Sequence, residues 1–403
     1  MYRLIFPLLA LSVLVTAPAC AQKSTHLPTK PALVRLIDGS LRQSVNQYKV
    51  LMGRVPADRL PKTYMAAGDK LETSNADWWT SGFYPGTLFY LYEFAHDTAL
   101  LREATNRLRL LEKEQYNKGT HDLGFMMFCS YGNGLRLLGK PEYKDVLLNS
   151  ARSLSTRFNP TIGCIRSWDS KPWKYPVIID NMMNLELLFW ATAVSGDSSF
   201  YRIAVTHANT TMKNHYRPDY SSFHVIDYDT ATGAVLGKKT AQGYADSSAW
   251  ARGQSWGLYG YTVMYRSTHD PRYLGQAEHI AHFILSNPNL PADKIPYWDY
   301  NAPDIPRALR DASAASVMAS ALIELSGYVA PAQGQQYLSV AEQIIVNLSS
   351  NTYKAVVGSN GGFILRHSVG HLPAHSEVDM PLTYADYYFV EAMLRYRALA
   401  QQK

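Results

Sequence analysis

The chain has 403 residues, of which 47% are hydrophobic, 12% aromatic and 18% charged. Its 28 Tyr and 8 Trp exclude a disordered chain and a simple coiled coil, so we expect a large folded core. Basic residues outnumber acidic ones by 39 to 33, but the resulting formal charge of +6 is spread along the chain. Because no run of Lys and Arg could follow a phosphate backbone, we predict no nucleic-acid partner.

The first twenty residues have the pattern of an export signal. Arg3 precedes an apolar run, and the small residues Ala17-Pro18-Ala19 offer a cleavage site directly before Cys20. Two interpretations stay open: 1–20 is a signal peptide of a simply secreted chain, or Cys20 is a lipidated N-terminus. Residues 21–30 are predicted to be a short tether. We therefore expect an exported, periplasmic protein whose only link to a membrane would be a lipid on Cys20.

Helical hairpins are predicted to fill most of the remaining chain. Five times a polar turn precedes the periodic apolar positions of a helix, as in HDTALLREA (96–104) and HDPRYLGQA (269–277), and each such turn follows another helical segment. The predicted helices lie near 31–51, 80–95, 98–115, 122–138, 141–157, 178–194, 198–214, 249–268, 271–286, 309–327, 331–349 and 381–398.

The two kinds of helix differ in polarity. Odd-numbered helices have one charged and one apolar face, whereas even-numbered ones are apolar nearly all round, as in ASAASVMASALIEL (312–325). We predict an all-α toroid over 31–403, an (α/α)6 barrel with the even-numbered helices inside. The stretch 215–247 instead contains FHVIDYD, a turn and VLGKKT, which predicts a small β-hairpin insertion.

Unusual sequences stand at the starts of the even-numbered helices. They include DWWTSGF (77–83), HDLGF (121–125), IIDNMMN (178–184) and WARGQSWG (250–257). If the inner helices share one direction, these starts meet at one mouth, where aromatic faces and a few polar groups would suit a sugar ring. The spacing of the tryptophans in the last stretch fits a place in the core as well as it fits a sugar platform.

Two aspartates at these starts are candidate catalytic acids. Asp122 is followed by Leu-Gly-Phe and Asp180 is preceded by Val-Ile-Ile. Apolar surroundings raise a carboxyl pKa towards the range that a general acid needs. Helix capping or a buried ion pair is the alternative for both, and capping is the simpler explanation for Asp77 and Asp311.

Three histidines near the C-terminus are spaced like a metal-binding helix face. They are His367, His371 and His375, but Gly370 and Pro373 interrupt any helix there. We therefore predict no metal and no cofactor.

Together these stretches resemble glycoside hydrolase family 88, the unsaturated glucuronyl hydrolases. The similarity runs from about residue 45 to 398, and the family fold is the (α/α)6 barrel that the helix pattern predicts independently. The stretches that carry it are NADWWTSGFYPG (75–86), HDLGF (121–125), IIDNMMNLELLFWA (178–191), 221–261, PYWDY (296–300), RDASAAS (310–316) and ADYYFVEAMLR (385–395).

The resemblance implies an enzyme that acts on oligosaccharides left by a polysaccharide lyase. It would hydrate the C4=C5 vinyl ether of their terminal unsaturated uronic acid. Asp180 matches the family's acid and base, and Asp122 matches its second essential carboxylate. Arg252 is implied to bind the uronate carboxylate, because a guanidinium can donate two parallel hydrogen bonds to a carboxylate. The other implied substrate-binding residues are Trp78, Phe83, Trp168, His224, Lys238, Thr240, Gln242, Trp250 and Trp256.

The sequence of one loop differs from that of some members of the family. Members that prefer sulfated chondroitin fragments carry Ser-x-x-Ser-x-Lys, whereas the matching stretch here begins at Ser368 and has His371 and Pro373 in place of the second Ser and the Lys. The loss of a cation suited to sulfate resembles the variant associated with heparin-type fragments. We therefore expect heparin or heparan products as substrates, with Ser368 in the binding site.

Two alternatives stay open at this point. The related family 105, the unsaturated rhamnogalacturonyl hydrolases, has the same barrel and acts on pectin fragments. A non-catalytic glycan-binding surface lipoprotein would explain the aromatic mouth and Cys20, but it would not need both Asp122 and Asp180.

Overall fold

The computed structural model describes residues 27–401. The predicted signal peptide, Cys20 and the first part of the predicted tether lie outside these residues. Twelve α-helices make up about half of the described chain: α1 (Pro31–Arg54), α2 (Phe83–Ala95), α3 (Thr98–Leu111), α4 (Asn133–Leu138), α5 (Pro141–Ser155), α6 (Leu185–Ser195), α7 (Ser198–Asn214), α8 (Ala251–Thr268), α9 (Pro271–Ser286), α10 (Ala312–Leu325), α11 (Pro331–Leu348) and α12 (Thr383–Gln401).

The repeated turn sequences make the helical hairpins. The first helix of a pair ends at a left-handed residue, such as His96 or His269, and the next residue caps the second helix. Asp97 accepts a hydrogen bond from the backbone N–H of Ala99 at 2.9 Å, and Asp270 caps α9 in the same way. This chemistry ends one helix and starts the next within two residues, which forces the pair to run antiparallel.

The hairpins close into two concentric rings. The even-numbered helices form the inner ring, in which α8 packs on α10, α10 on α12 and α12 on α2, and the odd-numbered helices pack outside them. Nearly every residue of α10 is buried, whereas α9 buries one face only. The predicted (α/α)6 barrel, with even-numbered helices inside, is confirmed.

Two inner helices begin irregularly. A π-helix over Gly124–Gly132 runs into α4, and a 3₁₀-helix over Ile179–Asn184 runs into α6. Both replace regular α-helix that the sequence pattern predicts, and both carry residues of the candidate site.

Small sheets surround one end of the barrel. The predicted hairpin consists of β6 (Val225–Tyr228) and β7 (Val235–Lys239), and β5 (Pro176–Ile178) extends it to three strands. Three further two-stranded sheets within residues 27–401 were not predicted: β1–β2 (Leu60–Met65 and Lys70–Ser74), β3–β4 (Phe158–Asn159 and Cys164–Ile165) and β8–β9 (Ser368–His371 and Ser376–Met380).

The described start of the chain packs on the barrel. Leu27 is buried, the backbone N–H of Lys30 donates to the hydroxyl of Tyr396 at 2.9 Å, and the Lys30 ammonium lies 2.5 Å from Glu342. Residues 27–30 of the predicted tether are therefore part of the folded body. Within residues 27–401, no helix combines the length and the apolar character needed to cross a membrane.

Candidate active site

The starts of the inner helices meet at one mouth. Arg252 in the first turn of α8 pairs with Asp311 at the start of α10, with Nη1 and Oδ2 3.1 Å apart. The ring of Tyr384 at the start of α12 lies 4.9 Å from that of Trp79, which precedes α2. The 3₁₀-helix packs against both α8 and the π-helix. The convergence expected from the sequence is therefore present.

Asp180 lies in the 3₁₀-helix and is only 6% exposed. Burial raises the pKa of its carboxyl to about 7, while the charge of Arg252 lowers this pKa and the charge of Asp122 raises it. Its Oδ2 lies 3.8 Å from His224 Nε2 and has no hydrogen-bond partner in the described part of the chain. The carboxyl therefore keeps its proton up to near-neutral pH and has an oxygen free for a ligand.

Asp122 stands directly before the π-helix. Thr120 Oγ1 donates to its Oδ2 at 2.9 Å, and His121 Nε2 lies 3.4 Å from its Oδ1. These contacts make its surroundings more polar than the neighbouring sequence suggests. The charge of Asp122 contributes to the raised pKa of Asp180, so the two carboxyls lie within electrostatic reach of each other.

A glycine allows the two carboxylate-bearing segments to touch. The backbone N–H of Phe125 donates to Asn184 Oδ1 at 2.9 Å, across the contact between the π-helix and the 3₁₀-helix. A Cβ on Gly124 would lie 2.6 Å from the Cα of Asn184, which is closer than real atoms approach. π-Helices are frequent at functional sites, and here one brings Asp122 close to the second aspartate.

His224 presents an N–H to Asp180. Its Nδ1 accepts hydrogen bonds from the backbone N–H groups of Ala241 at 3.0 Å and Gln242 at 3.1 Å, so this nitrogen carries no proton. Burial holds the pKa of His224 well below its usual range. The ring is therefore neutral with its proton on Nε2, the nitrogen nearer to the carboxyl. Trp250 packs against the ring with centroids 4.6 Å apart.

Arg252 is buried and fully engaged through its two terminal nitrogens. Nη1 donates to Asp311 and to the carbonyl of Val369, and Nη2 donates to Gln242 Oε1 at 2.7 Å and to the carbonyl of Gly370 at 2.6 Å. A bidentate grip on a substrate carboxylate would require exchange of these partners. In the described state Arg252 joins α8 to α10, to the segment that follows β7 and to β8.

The predicted stacking residues differ in exposure. Trp78 is 41% exposed at the mouth, and Trp168 is half-buried against the edge of Trp173, with centroids 5.9 Å apart. Phe83 and Trp256 have no exposed surface. The first two can offer a face to a sugar, whereas the last two form the aromatic floor beneath the aspartates.

Three further predicted residues border the mouth. Lys238 on β7 places its ammonium 5.0 Å from the ring centre of Phe223. Thr240 Oγ1 accepts from the backbone N–H of Gly243 at 2.8 Å and so shapes the turn that follows. Ser368 on β8 is buried, and within residues 27–401 its Oγ has no hydrogen-bond partner.

The sequence patterns indicated no role for His121 or Asn184, and they raised His371 only as a rejected metal ligand and as the residue in place of a loop serine. His121 adjoins Asp122, and Asn184 follows Asp180 by four residues, so proximity in the sequence could have indicated both. Asp311 does cap its helix, since it accepts from Ser313 N at 3.0 Å, and it also pairs with the buried arginine. The expected cap by Asp77 is wrong, because α2 begins only at Phe83 and Asp77 is exposed.

Comparison with known proteins gives concordant relatives, although no family model matches the chain. The chain is 47% identical over 344 residues, 85% of each protein, to an unsaturated glucuronyl hydrolase of Formosa agariphila. It is 31% identical over 325 residues, 79% of this chain and 81% of the relative, to an unsaturated chondroitin disaccharide hydrolase of Streptococcus pneumoniae. The crystal structure of an unsaturated glucuronyl hydrolase specific for heparin matches with a TM-score of 0.89 and 48% identity, covering 91% of this chain and 98% of that one.

The barrel of helical hairpins and these relatives define a glycoside hydrolase with an (α/α)6 fold. Within that class, the chain belongs to the unsaturated glucuronyl hydrolases. The resemblance found in the sequence is thereby confirmed, and neither alternative drawn from the sequence gains support.

Proposed function

We propose that this enzyme removes the terminal 4,5-unsaturated uronic acid from oligosaccharides that lyases release from heparin-type glycosaminoglycans. The observation that carries the chemistry is Asp180, a buried carboxyl with a pKa of about 7 beside a second carboxyl, Asp122. Two observations support the heparin preference. A relative with 48% identity is specific for heparin, and the loop after Ser368 lacks a lysine.

The proposed reaction starts with a proton transfer to carbon. Neutral Asp180 donates its proton to C4, the electron pair of the C4=C5 bond forms the new C–H bond, and positive charge develops on C5 and the ring oxygen. Water then adds to C5 and returns a proton to the Asp180 carboxylate. The resulting hemiketal opens by breaking its bond to the ring oxygen, and C1, now a hemiacetal, releases the rest of the sugar as an alcohol. One water is consumed, and the other product is a keto acid.

The neighbours of Asp180 fit this sequence of steps. The negative charge of Asp122 favours the cationic transition state, and His224 offers a fixed N–H to the carboxylate that forms after the first step. Trp78 and Trp168 have the exposed faces on which the two sugar rings can stack.

Loss of the near-ultraviolet absorbance of the C4=C5 chromophore tests the proposal. Lyase-generated disaccharides from heparin, chondroitin and hyaluronan would be compared at equal concentration with wild-type enzyme and with Asp180→Asn. We expect the fastest decay on a heparin disaccharide and none with the variant. Faster decay on chondroitin disaccharides would contradict the heparin preference. No decay on any of them, with decay on pectin-derived fragments, would overturn the proposed substrate class.

We further propose that the enzyme acts after export to the periplasm. The support is the sequence of residues 1–20 alone, with its apolar run and small-residue cleavage site. The mass of the mature N-terminus from the native host would test this and would distinguish free cleavage from a lipid on Cys20. An intact Met1 on the active protein would contradict export.

A further inference from the structure

A chain of hydrogen bonds connects β8 to the catalytic mouth. His371 Nε2 donates to the backbone carbonyl of Ala241 at 2.7 Å. That carbonyl belongs to the same peptide unit as the N–H of Gln242, which donates to His224 Nδ1 at 3.1 Å. The other nitrogen of His224 faces Asp180 Oδ2 at 3.8 Å. One peptide plane is therefore held between two imidazole rings.

A second connection closes this chain into a ring. Gln242 Oε1 accepts from Arg252 Nη2, and the same nitrogen donates to the carbonyl of Gly370, the residue before His371. The ring thus joins the segment that follows β7, α8 and β8. Hydrogen bonds in such closed chains polarise one another, so loss of one weakens the rest.

We propose that His371 is a positioning residue for Asp180, acting through the Ala241–Gln242 peptide and His224. The inference rests on the proposed acid and base role of Asp180. The turn that holds the peptide has no regular secondary structure and is partly exposed, so its own chain does not fix the plane of the peptide. His371 fixes that plane from a strand 130 residues away in the chain.

The orientation of the imidazole decides what its N–H contacts. At 3.8 Å, His224 Nε2 is just beyond hydrogen-bond distance from Asp180, so a small tilt makes or breaks this contact. Without His371 we expect the ring to be less constrained and the carboxylate of Asp180 to be less stabilised. The other charged groups near Asp180 are Arg252 from α8 and Asp122 from the start of the π-helix, and both are unchanged in His371 variants.

The test compares three variants on an unsaturated heparin disaccharide. We expect His371→Ala to lower kcat about tenfold, because loss of a residue that orients a catalytic group typically reduces activity by about this factor. We expect KM to stay within about twofold of the wild-type value. We expect the basic limb of its kcat–pH profile to move to higher pH. His371→Gln places an amide N–H near the position of Nε2 and should restore most of kcat and the wild-type profile. His375→Asn is the matched control, since His375 is an exposed left-handed residue in the same β8–β9 hairpin and Asn tolerates that conformation.

Several outcomes would overturn the inference. One is a wild-type kcat and pH profile in His371→Ala. Another is a change confined to KM. A third is a His371→Gln variant that is folded, as judged by its melting temperature, but has a kcat about tenfold below wild type. This comparison with wild type also decides the case if His371→Ala does not fold. Asp180→Asn separates the two proposals: if it remains active, the proposed function fails, whereas a dead Asp180→Asn with an unaffected His371→Ala removes only the positioning role.

Discussion

The carboxyl of Asp180 holds its proton because burial disfavours the charged form more than Arg252 favours it. Since the proposed first step needs the neutral acid, activity should fall as pH rises through the pKa of about 7. We expect kcat/KM to decrease about tenfold per pH unit on the alkaline side. Initial rates of absorbance loss between pH 5 and 9 measure this, with enzyme returned to pH 6 after each exposure as a control for inactivation. A flat profile to pH 9 would falsify the assignment of Asp180 as the acid.

The same burial has a consequence for stability. A folded pKa of about 7, above the unfolded value, means that the folded state binds the proton more tightly. Stability is therefore lost as pH rises from about 4 to about 7, at roughly 1.4 kcal/mol for each unit of pKa difference.

Asp180→Asn removes this titration while keeping the shape of the side chain. The melting temperature of the variant relative to wild type should therefore rise with pH up to about 7 and then level off. Melting curves of both proteins at matched ionic strength measure it. A difference that is constant across this range would show that Asp180 titrates normally in the folded state.

At the scale of elements, the contact between the π-helix and the 3₁₀-helix helps to set the distance between the carboxyls of Asp122 and Asp180, the two candidate catalytic residues. Gly124→Ala would force the new methyl group into Asn184, so the helices must separate. We expect a loss of about 1–3 kcal/mol of stability, as for overpacked cores, and a lower kcat because Asp122 moves away from Asp180. Gly39 in α1 has open space around its added Cβ, so Gly39→Ala should keep full activity. Denaturant unfolding and kcat measurements on both variants test this prediction. A Gly124→Ala variant with wild-type stability and wild-type kcat would contradict it.

The elements differ in how far the sequence could predict them. Long helices were predicted within a few residues, because the His-Asp and Gly-Asp turns act locally and the apolar period is repeated many times. The β8–β9 hairpin was not predicted, since its strands are short, interrupted by Gly and Pro, and stabilised by contacts with distant parts of the barrel. The π-helix was not predicted either, because its apolar residues suit an α-helix equally well.

In the candidate site, too, some features could be predicted from the sequence and others could not. The aspartates and the convergence of their helices follow from the position of the motifs along the chain. The burial of Phe83 and Trp256 does not, because an aromatic residue at a helix start has the same sequence pattern whether it lines a mouth or fills the floor beneath it. The occupied fork of Arg252 depends on backbone carbonyls of β8, and backbone groups leave no trace in side-chain patterns.

On the scale of the whole molecule, one carboxylate joins four inner helices near the middle of their length. Glu391 in α12 accepts from Tyr90 in α2 at 2.9 Å, from Tyr259 in α8 at 3.2 Å and from Ser320 in α10 at 2.5 Å, and it lies 3.4 Å from Arg395. All of these residues except Ser320 border a cavity of about 550 Å³. The contacts hold helices together that are far apart in the chain.

Glu391→Ala should therefore destabilise the entire barrel. It leaves buried hydroxyls and part of a guanidinium without their acceptor, which costs about 3 kcal/mol. Glu93→Ala is the control, because it breaks the exposed pair with Arg136 and should change stability by less than about 1 kcal/mol. Unfolding in urea followed by circular dichroism measures both. Equal stability losses in the two variants would show that the buried network does not hold the ring together.

Because the inner helices share one direction, their dipoles add to an electric field that acts on a substrate before it binds. A helix start carries unpaired N–H groups equivalent to about half a positive charge, and in this barrel the inner starts all surround one opening. Arg136 in the last turn of α4 and Arg266 in the last turn of α8 stand near the opposite, negative helix ends and offset them. We therefore expect the helix starts to contribute an attraction between the mouth and a uronate carboxylate. This attraction reaches about 30 Å in 0.01 M salt but only about 8 Å at physiological ionic strength, so the rate of capture depends on the salt in which the enzyme works.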